Sequence, residues 1–560
     1  MRTPARLSGL DQSFLHFETP TAYMHVALTA IFDPGSLSVE DGGIDFASIR
    51  SHIASRLHLI PRYRQRLHFT PLLNEPLWVD DGEFDLEYHV RHSHLPTPGT
   101  EAQLKTLVAR LLERPLDRGR PLWEITFIEG LPGGRFAMLI KVHHCLVDGI
   151  AGMDILAALL DPTPVTRIEE PKPWTPSPLP SGVELLAEEV RRRGAASFSL
   201  LQRLPTLVGD GGAAVGARLG SLLGLMRTGL SRVGASPINR AIGPHRRVEW
   251  VSFDLAEVKE IRRRLGGTVN DVALGIVSGG LRRMHRRMRA DLDGDFRVLM
   301  PVSTRASSER GETGNRVSAW VANLPLDEDD ALVRHRRICE TTTGLRNNQE
   351  QQSTSLLVET AEWTPPIAIA MSVRLIRQVR LFNLIVTNIP GPAFPLYLLD
   401  APMVAGHPHV PLFDNQGLGI ALLSYDGRLS LGLVADWDVV HDLAQVADGM
   451  EAAFPTVTAA VEAAVRMQQG FTRYTRRNPT RALRVRIGIN VGEPLAEDGD
   501  LFGTAVNMAA RVCARAKGGE VLLTEAAREL VGESKIRFRA RGRATLRGLR
   551  SPVRLFQVVW

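Results

Sequence analysis

Seven prolines crowd into the 22 residues from 161 to 182, in the string DPTPVTRIEEPKPWTPSPLPSG. Proline has no backbone N–H and a fixed φ, so such a run continues neither a helix nor a central strand. It predicts an extended connector, and the chain on either side must satisfy its own hydrogen bonds. Upstream, "AYMHVALTAIF" and "RFAMLIKVHH" read as strands, while "EAQLKTLVARLLERPLD" places Leu104, Leu107 and Leu111 at helical spacing. Residues 183–235 read as helical with glycine-rich interruptions. The αβ alternation resumes near 246: "RVEWVSFDL", "FRVLMPVST" and "FNLIVTNIP" read as strands and "TVNDVALGIVSGGLRRMHRRM" as an amphipathic helix. "GIALLSYDGRLSLGLVADWDVV" predicts a hairpin turning at Asp426-Gly427. The expectation is an α/β fold with mixed sheets in two halves, 1–160 and 246–455, joined by a proline-rich and helical crossover over 161–245, with a further unit over 456–560.

Length agrees with several units, since 560 residues exceed one ordinary core. No run of apolar residues is long enough for a membrane-spanning helix. The opening "MRTPARLSGLDQSFLHFETP" lacks a signal peptide's apolar core, and Cys145, Cys339 and Cys513 form neither a disulfide framework nor a CxxC zinc pattern. A cytoplasmic location is therefore expected. The net charge of +6 divides unevenly: residues 470–560 hold 18 Lys/Arg against 8 Asp/Glu, the rest 49 against 53. The arginines of this tail are scattered among core-like apolar runs, which points to a folded basic surface and away from nucleic acid.

The segment "IKVHHCLVDGIAG" carries the most chemistry. "FAMLIKV" reads as a buried strand and the residues after Gly149 as a helix, so His143 and His144 close the strand and Asp148 stands in the turn. Neighbouring strand residues point to opposite faces, so only one histidine can face a given cavity. That argues against one metal held by both, and no metal site is expected. A histidine is suited to take a proton near neutral pH. A nearby carboxylate orients the ring or shapes the loop.

"HHCLVDG" resembles the HHxxxDG motif of the CoA-dependent acyltransferase superfamily. The chain is more narrowly similar to the bacterial wax ester synthase/diacylglycerol acyltransferase family. Its "LSGLDQSFLHFET…MHVALTAIF", "PLWEI", "TVNDVAL", "MPVSTR", "GNRVS" and "NIPGP" follow that family's order over roughly residues 5–455. The resemblance implies two chloramphenicol-acetyltransferase-like halves and an acyl-CoA-dependent O-acyltransferase with its site in a tunnel between them. His144 would be the general base, His143 a supporting neighbour, Asp148 a loop anchor and Gly149 a close turn. Asn270 and Asp271 are either site supports or ordinary helix caps. Pro121, Leu122 and Trp123 are packing residues or, alternatively, line the acyl channel. Cys145 occupies a variable position of the motif and reads as a packed residue, since the mechanism needs no acyl-enzyme.

No permanent cofactor is implied; acyl-CoA is a co-substrate and diacylglycerol or a long-chain alcohol the acceptor. Insoluble products favour access from a membrane's inner face or a lipid droplet, with residues 196–228 as the expected contact.

The string "LRVRIGINVGEPLAEDGDLFGTAVNMAARVCARAKGGEVLLTEAARELVG" is similar to the second half of class III nucleotide cyclase domains. Asn507 and Arg511 match that family's transition-state asparagine and arginine and fall one helical turn apart. The family's metal-binding aspartates belong to the half that is missing, and no aspartate occurs between Asp448 and Asp498. Without them no metal is positioned for phosphoryl chemistry. Cyclase activity is not expected; the tail is either a relic of fusion or a module for binding or self-association. A non-catalytic lipid- or nucleotide-binding protein regulated through this tail is the rival reading of the whole chain.

Overall fold

The computed structural model describes residues 4–39, 43–71, 74–146, 154–165, 167–188, 191, 233–290, 294–303, 317–351, 381–453, 457–477, 484–491, 495–497, 500–502, 504–531, 536–546 and 552–560. They fall into two compact units. The first comprises Met1–Ser252, Asp293–Val321 and Gln349–Leu443; the second Phe253–Leu292, Ala322–Asn348 and Ala444–Trp560.

In the first unit the expected strands form. His25–Phe32, Phe136–His143 and Trp123–Glu129 run antiparallel side by side, and Val90–His94 adds a parallel edge. The opposite side of His25–Phe32 is taken by Ala401–His409, which the sequence order places far away, with Tyr397–Leu398 beyond it. The six-stranded sheet is thus completed by a strand from the C-terminal half.

Both faces of this sheet are covered. Phe32, Phe136, Met138, Ile140 and Phe127 pack with Ile49, Ile53 and Ile155 of the helices Phe46–Arg56 and Asp154–Leu159. Ala137 and Leu139 face Leu104 and Val108 of the helix Glu101–Leu112. Every residue of Phe136–His143 is consequently buried, which is why that strand reads as a nearly unbroken apolar run. Its one cation, Lys141, donates to the Leu111 carbonyl in that helix's last turn and to the Arg114 carbonyl just past it, and lies 3.2 Å from Glu124.

A second six-stranded sheet has the order Val317–Leu324, Phe296–Ser303, Leu384–Pro390, Leu418–Tyr425, Arg428–Asp436, Arg246–Asp254. Leu384–Pro390 pairs in parallel on both sides, whereas Leu418–Tyr425 and Arg428–Asp436 form the expected antiparallel hairpin. Asp426 and Gly427 take φ of 39° and 76°, the two left-handed residues of a tight hairpin turn. Among the described residues of 161–181 there is neither helix nor strand beyond an isolated bridge at Asp161, and a helix begins at residue 182. The expected lipid-facing segment 196–228 lies outside the described residues.

In the second unit, Val269–Arg287 packs on Leu443–Ala453 so closely that a Cβ on Gly280 would stand 2.5 Å from Met450 Cγ. The tail folds into a sheet of order Ile487–Ile489, Val521–Thr524, Val553–Val559, Arg537–Ala544. Ala464 and Ala527, from the helices Val457–Arg477 and Glu525–Val531, cover one face through Val521, Leu523 and Val558. Val512 of Thr504–Arg515 covers the other through Leu522 and Leu555.

Candidate functional site

Strand Phe136–His143 ends at the first histidine of the pair, and residues 144–146 turn away. Alternation then gives the two rings different surroundings. His143 is buried opposite His25 of the neighbouring strand, with ring centroids 5.8 Å apart at a steep angle. Cys145 N–H donates to His143 Nδ1 at 3.0 Å, so that nitrogen is unprotonated and the ring's proton sits on Nε2. Nε2 lies 3.1 Å from Glu18 Oε1, a charge contact without the alignment of a full hydrogen bond.

Glu18 itself is anchored from three sides. Its Oε1 accepts Met24 N–H at 2.9 Å, its Oε2 accepts from Arg118, and His143 faces Oε1. Burial works to raise its pKa, but His143, Arg118 and the Met24 N–H outweigh it and hold the carboxyl at about 2.

His144 is held by the same loop: its N–H donates to the Met24 carbonyl at 2.7 Å. Its ring stacks on Phe14 with centroids 3.8 Å apart and planes 19° from parallel. Phe14 belongs to the helix Gly9–Phe17, started by the Ser8–Asp11 capping box within "LSGLDQSFLHF". Burial lowers the His144 pKa to about 4, its own backbone carbonyl opposing the shift and His143 adding to it. The ring is therefore neutral at physiological pH and able to accept a proton. Nδ1 is shielded from solvent and makes no well-aligned hydrogen bond among the described residues.

The PLW element meets the histidines directly. The Leu122 carbonyl accepts His143 N–H at 3.0 Å, and Trp123 pairs with Val142 across the sheet. Pro121, Leu122 and Trp123 are all buried. The Trp123 indole N–H donates to Tyr63 O at 2.8 Å, and the ring stacks on His89, whose Nδ1 bonds the Trp123 carbonyl. Burial and Asp11 push the Cys145 thiol well above its ordinary range, so it is a packed group and no thiolate nucleophile. Asp148 and Gly149 lie outside the described residues.

In the second unit, Asp271 is the N3 residue of a capping box with Thr268, accepting its N–H and hydroxyl, and takes the Thr342 hydroxyl at 2.8 Å. Asn270 is half-buried beside it in the first turn. On the tail, Asn507 is exposed and Arg511 half-buried, one turn apart on Thr504–Arg515.

Sequence reasoning singled out the histidines but passed over Glu18, Met24 and Phe14. Their signal was present in "FLHFETPTAYMHV", where one carboxylate precedes a strand that opens on a histidine. Among the described residues no three of His, Cys, Asp and Glu gather closely enough to hold a metal ion. A separate niche lined by Tyr23, His25, Arg246 and His409 leaves about 20 Å³, room for a water and far too little for an acyl chain.

The family domain described as the wax ester synthase/diacylglycerol acyltransferase catalytic domain matches residues 7–273, and the C-terminal domain of the same family residues 313–457. The adenylate and guanylate cyclase catalytic domain matches residues 439–559. A protein of Mycobacterium tuberculosis (strain ATCC 25618 / H37Rv) named "probable diacyglycerol O-acyltransferase" is 35% identical over 462 residues, covering 81% of this chain and 96% of its own. The solved wax ester synthase/diacylglycerol acyltransferase from Marinobacter aquaeolei VT8 is similar with a TM-score of 0.59 at 25% identity, covering 80% of this chain and 98% of that one. The trichothecene 15-O-acetyltransferase of Fusarium sporotrichioides shares the fold at 12% identity and a TM-score of 0.52, over 80% and 94%.

Proposed function

The chain belongs to the wax ester synthase/diacylglycerol acyltransferase family, and on that footing we propose that it moves an acyl group from acyl-CoA to diacylglycerol with His144 as general base. Fatty alcohol is the alternative acceptor, giving wax esters through the same residues. The acceptor hydroxyl oxygen bonds to the thioester carbonyl carbon as its proton passes to His144. The tetrahedral oxyanion then collapses, the C–S bond breaks, and coenzyme A leaves as its thiol with the proton from His144.

The observation that carries this reading is the state of His144. It is neutral at physiological pH, stacked on Phe14 and tied through its N–H to Met24. His143, Glu18 and Arg118 serve as positioning groups for the turn that bears it. Asp148 and Gly149 are assigned to shaping that turn. Pro121, Leu122 and Trp123 are read as packing groups that brace the strand's end. Asn270 and Asp271 are read as supports of the fold. The substrate class favours peripheral association with a membrane or lipid droplet, since the product is nearly insoluble. The tail is assigned no cyclase chemistry, because Asn507 and Arg511 lack the aspartates that hold catalytic metal.

Labelled acyl-CoA incubated with diacylglycerol, or with hexadecanol, tests the proposal on the parent and on His144→Ala. The expected loss in kcat is about 10²- to 10⁴-fold with the fold retained. Equal product from both proteins would overturn the assignment.

A further inference from the structure

Between Ile536 and Trp560 stand seven arginines and no acidic residue. The structure turns this composition into a surface. Arg537–Ala544 is an outer strand of the tail sheet, paired on one side only among the described residues. Arg537, Arg539, Arg541 and Arg543 are all exposed along it. Arg541 is engaged by Glu520, and Arg554 on the next strand by Glu525. Arg537, Arg539 and Arg543 have no acidic partner among the described residues. The register sets Arg537 opposite Val559 and Arg539 opposite Gln557, so these four share one face at the end of the sheet. Val559 is 43% exposed and Trp560 41% exposed. Arg537 thus stands opposite an exposed aliphatic residue, which an exposed indole follows in sequence, while Arg543 pairs with Arg554 farther along the same edge strand, on the sheet's other face.

We propose that this edge, through Arg537, Arg539 and Arg543 with Val559 and Trp560, docks the protein on anionic lipid headgroups. The inference rests on the reading that the enzyme takes lipid substrates at a membrane or droplet surface, and it names the element that holds it there. Arginines beside an anionic bilayer gain electrostatic attraction that falls off within a Debye length. An indole and an aliphatic side chain next to them enter the headgroup boundary. Charges that only block strand-to-strand aggregation would account for the arginines. They would not account for Val559 left exposed opposite Arg537, nor for the exposed Trp560 that follows it. Phosphate recognition on nucleic acid has no use for the aliphatic residue.

The test is flotation of the full chain with vesicles of phosphatidylglycerol and phosphatidylcholine in equal parts, and with phosphatidylcholine alone. Parent, Arg537→Glu/Arg539→Glu/Arg543→Glu, the corresponding triple Arg→Lys variant and Trp560→Ala are compared. The parent binds the anionic vesicles, more weakly as salt rises. The glutamate variant loses about a hundredfold in affinity, at about fivefold or more per arginine. The lysine variant keeps the binding, and Trp560→Ala weakens it severalfold. Acyl transfer to detergent-dispersed diacylglycerol, measured on each variant, stays at the parent's level. Equal affinity of the parent and the glutamate variant would overturn the proposal. So would equally tight binding to neutral vesicles, loss of binding in the lysine variant, or tighter binding of duplex DNA to the same arginines. Vesicle docking without acyl transfer in the parent would instead overturn the catalytic reading and leave the docking intact.

Discussion

Replacing Glu18 by glutamine keeps the side chain's size and removes the charge that faces His143 and Arg118. The Met24 N–H can still be accepted, so the loop should fold, but the Nε2 proton of His143 loses its counter-charge. His144 is tied to Met24 and Cys145 to His143, so the base shifts with them. We expect kcat to fall about ten- to a hundredfold with KM for acyl-CoA little changed, because a small misplacement of a reacting group is costly. Glu18→Asp should restore part of the loss; unchanged kcat in Glu18→Gln would dismiss the positioning role. At this scale the separation of His143 from His144 was legible, because strand side chains alternate with a period of two. Glu18 was not singled out, because no local spacing relates an acidic residue before one strand to a histidine at the end of another.

Two glycines give opposite expectations at the scale of elements. Gly432, within the strand Arg428–Asp436, has no room for a side chain: a Cβ there would lie 1.7 Å from the Pro408 carbonyl oxygen. Gly432→Ala must push apart that strand and Ala401–His409, and we expect a loss of about 1–3 kcal/mol or more. Gly470 stands in the helix Val457–Arg477, where an added methyl would meet nothing within 4 Å and the backbone is unstrained. Gly470→Ala should stabilise by about 0.5–1 kcal/mol through helix propensity. Thermal unfolding of both variants checks the pair; a stabilised Gly432→Ala would refute the close approach. The strands and helices themselves were legible from periodicity, and the hairpin from its Asp-Gly turn. The placement of Ala401–His409 beside His25–Phe32 was not, since pairing partners far apart leave no mark on either strand's own pattern.

Acid should weaken the molecule as a whole. Burial lowers the pKa of His144 to about 4, and of His407 and His409 to about 3, while His25 lies well below its ordinary value. These rings are neutral when folded but take a proton near pH 6.5 when unfolded. The unfolded chain then binds more protons between 6.5 and the folded values, so stability is full above pH 6.5 and is lost as pH falls. Each such histidine contributes a slope of up to about 1.4 kcal/mol per pH unit in that window. The melting temperature should fall steadily from pH 7 to 5 and fall less in His409→Gln, in which Thr29 can still find a partner. A pH-independent melting temperature would contradict the burial of these rings.

The sequence by itself determined the strands and helices, the histidine pair at a strand's end and the family to which its ordered motifs belong. The elements follow from local rules, side-chain period and turn chemistry, and the family from the order of the motifs. Tertiary structure decided what surrounds them. It brought Glu18, Arg118 and Met24 to the histidines, joined the Leu122 carbonyl to the His143 N–H, and set three arginines along one edge strand, the first of them opposite the exposed Val559. Those juxtapositions arise from strand pairing across long stretches of chain, where burial and hydrogen bonding of both partners must be satisfied together.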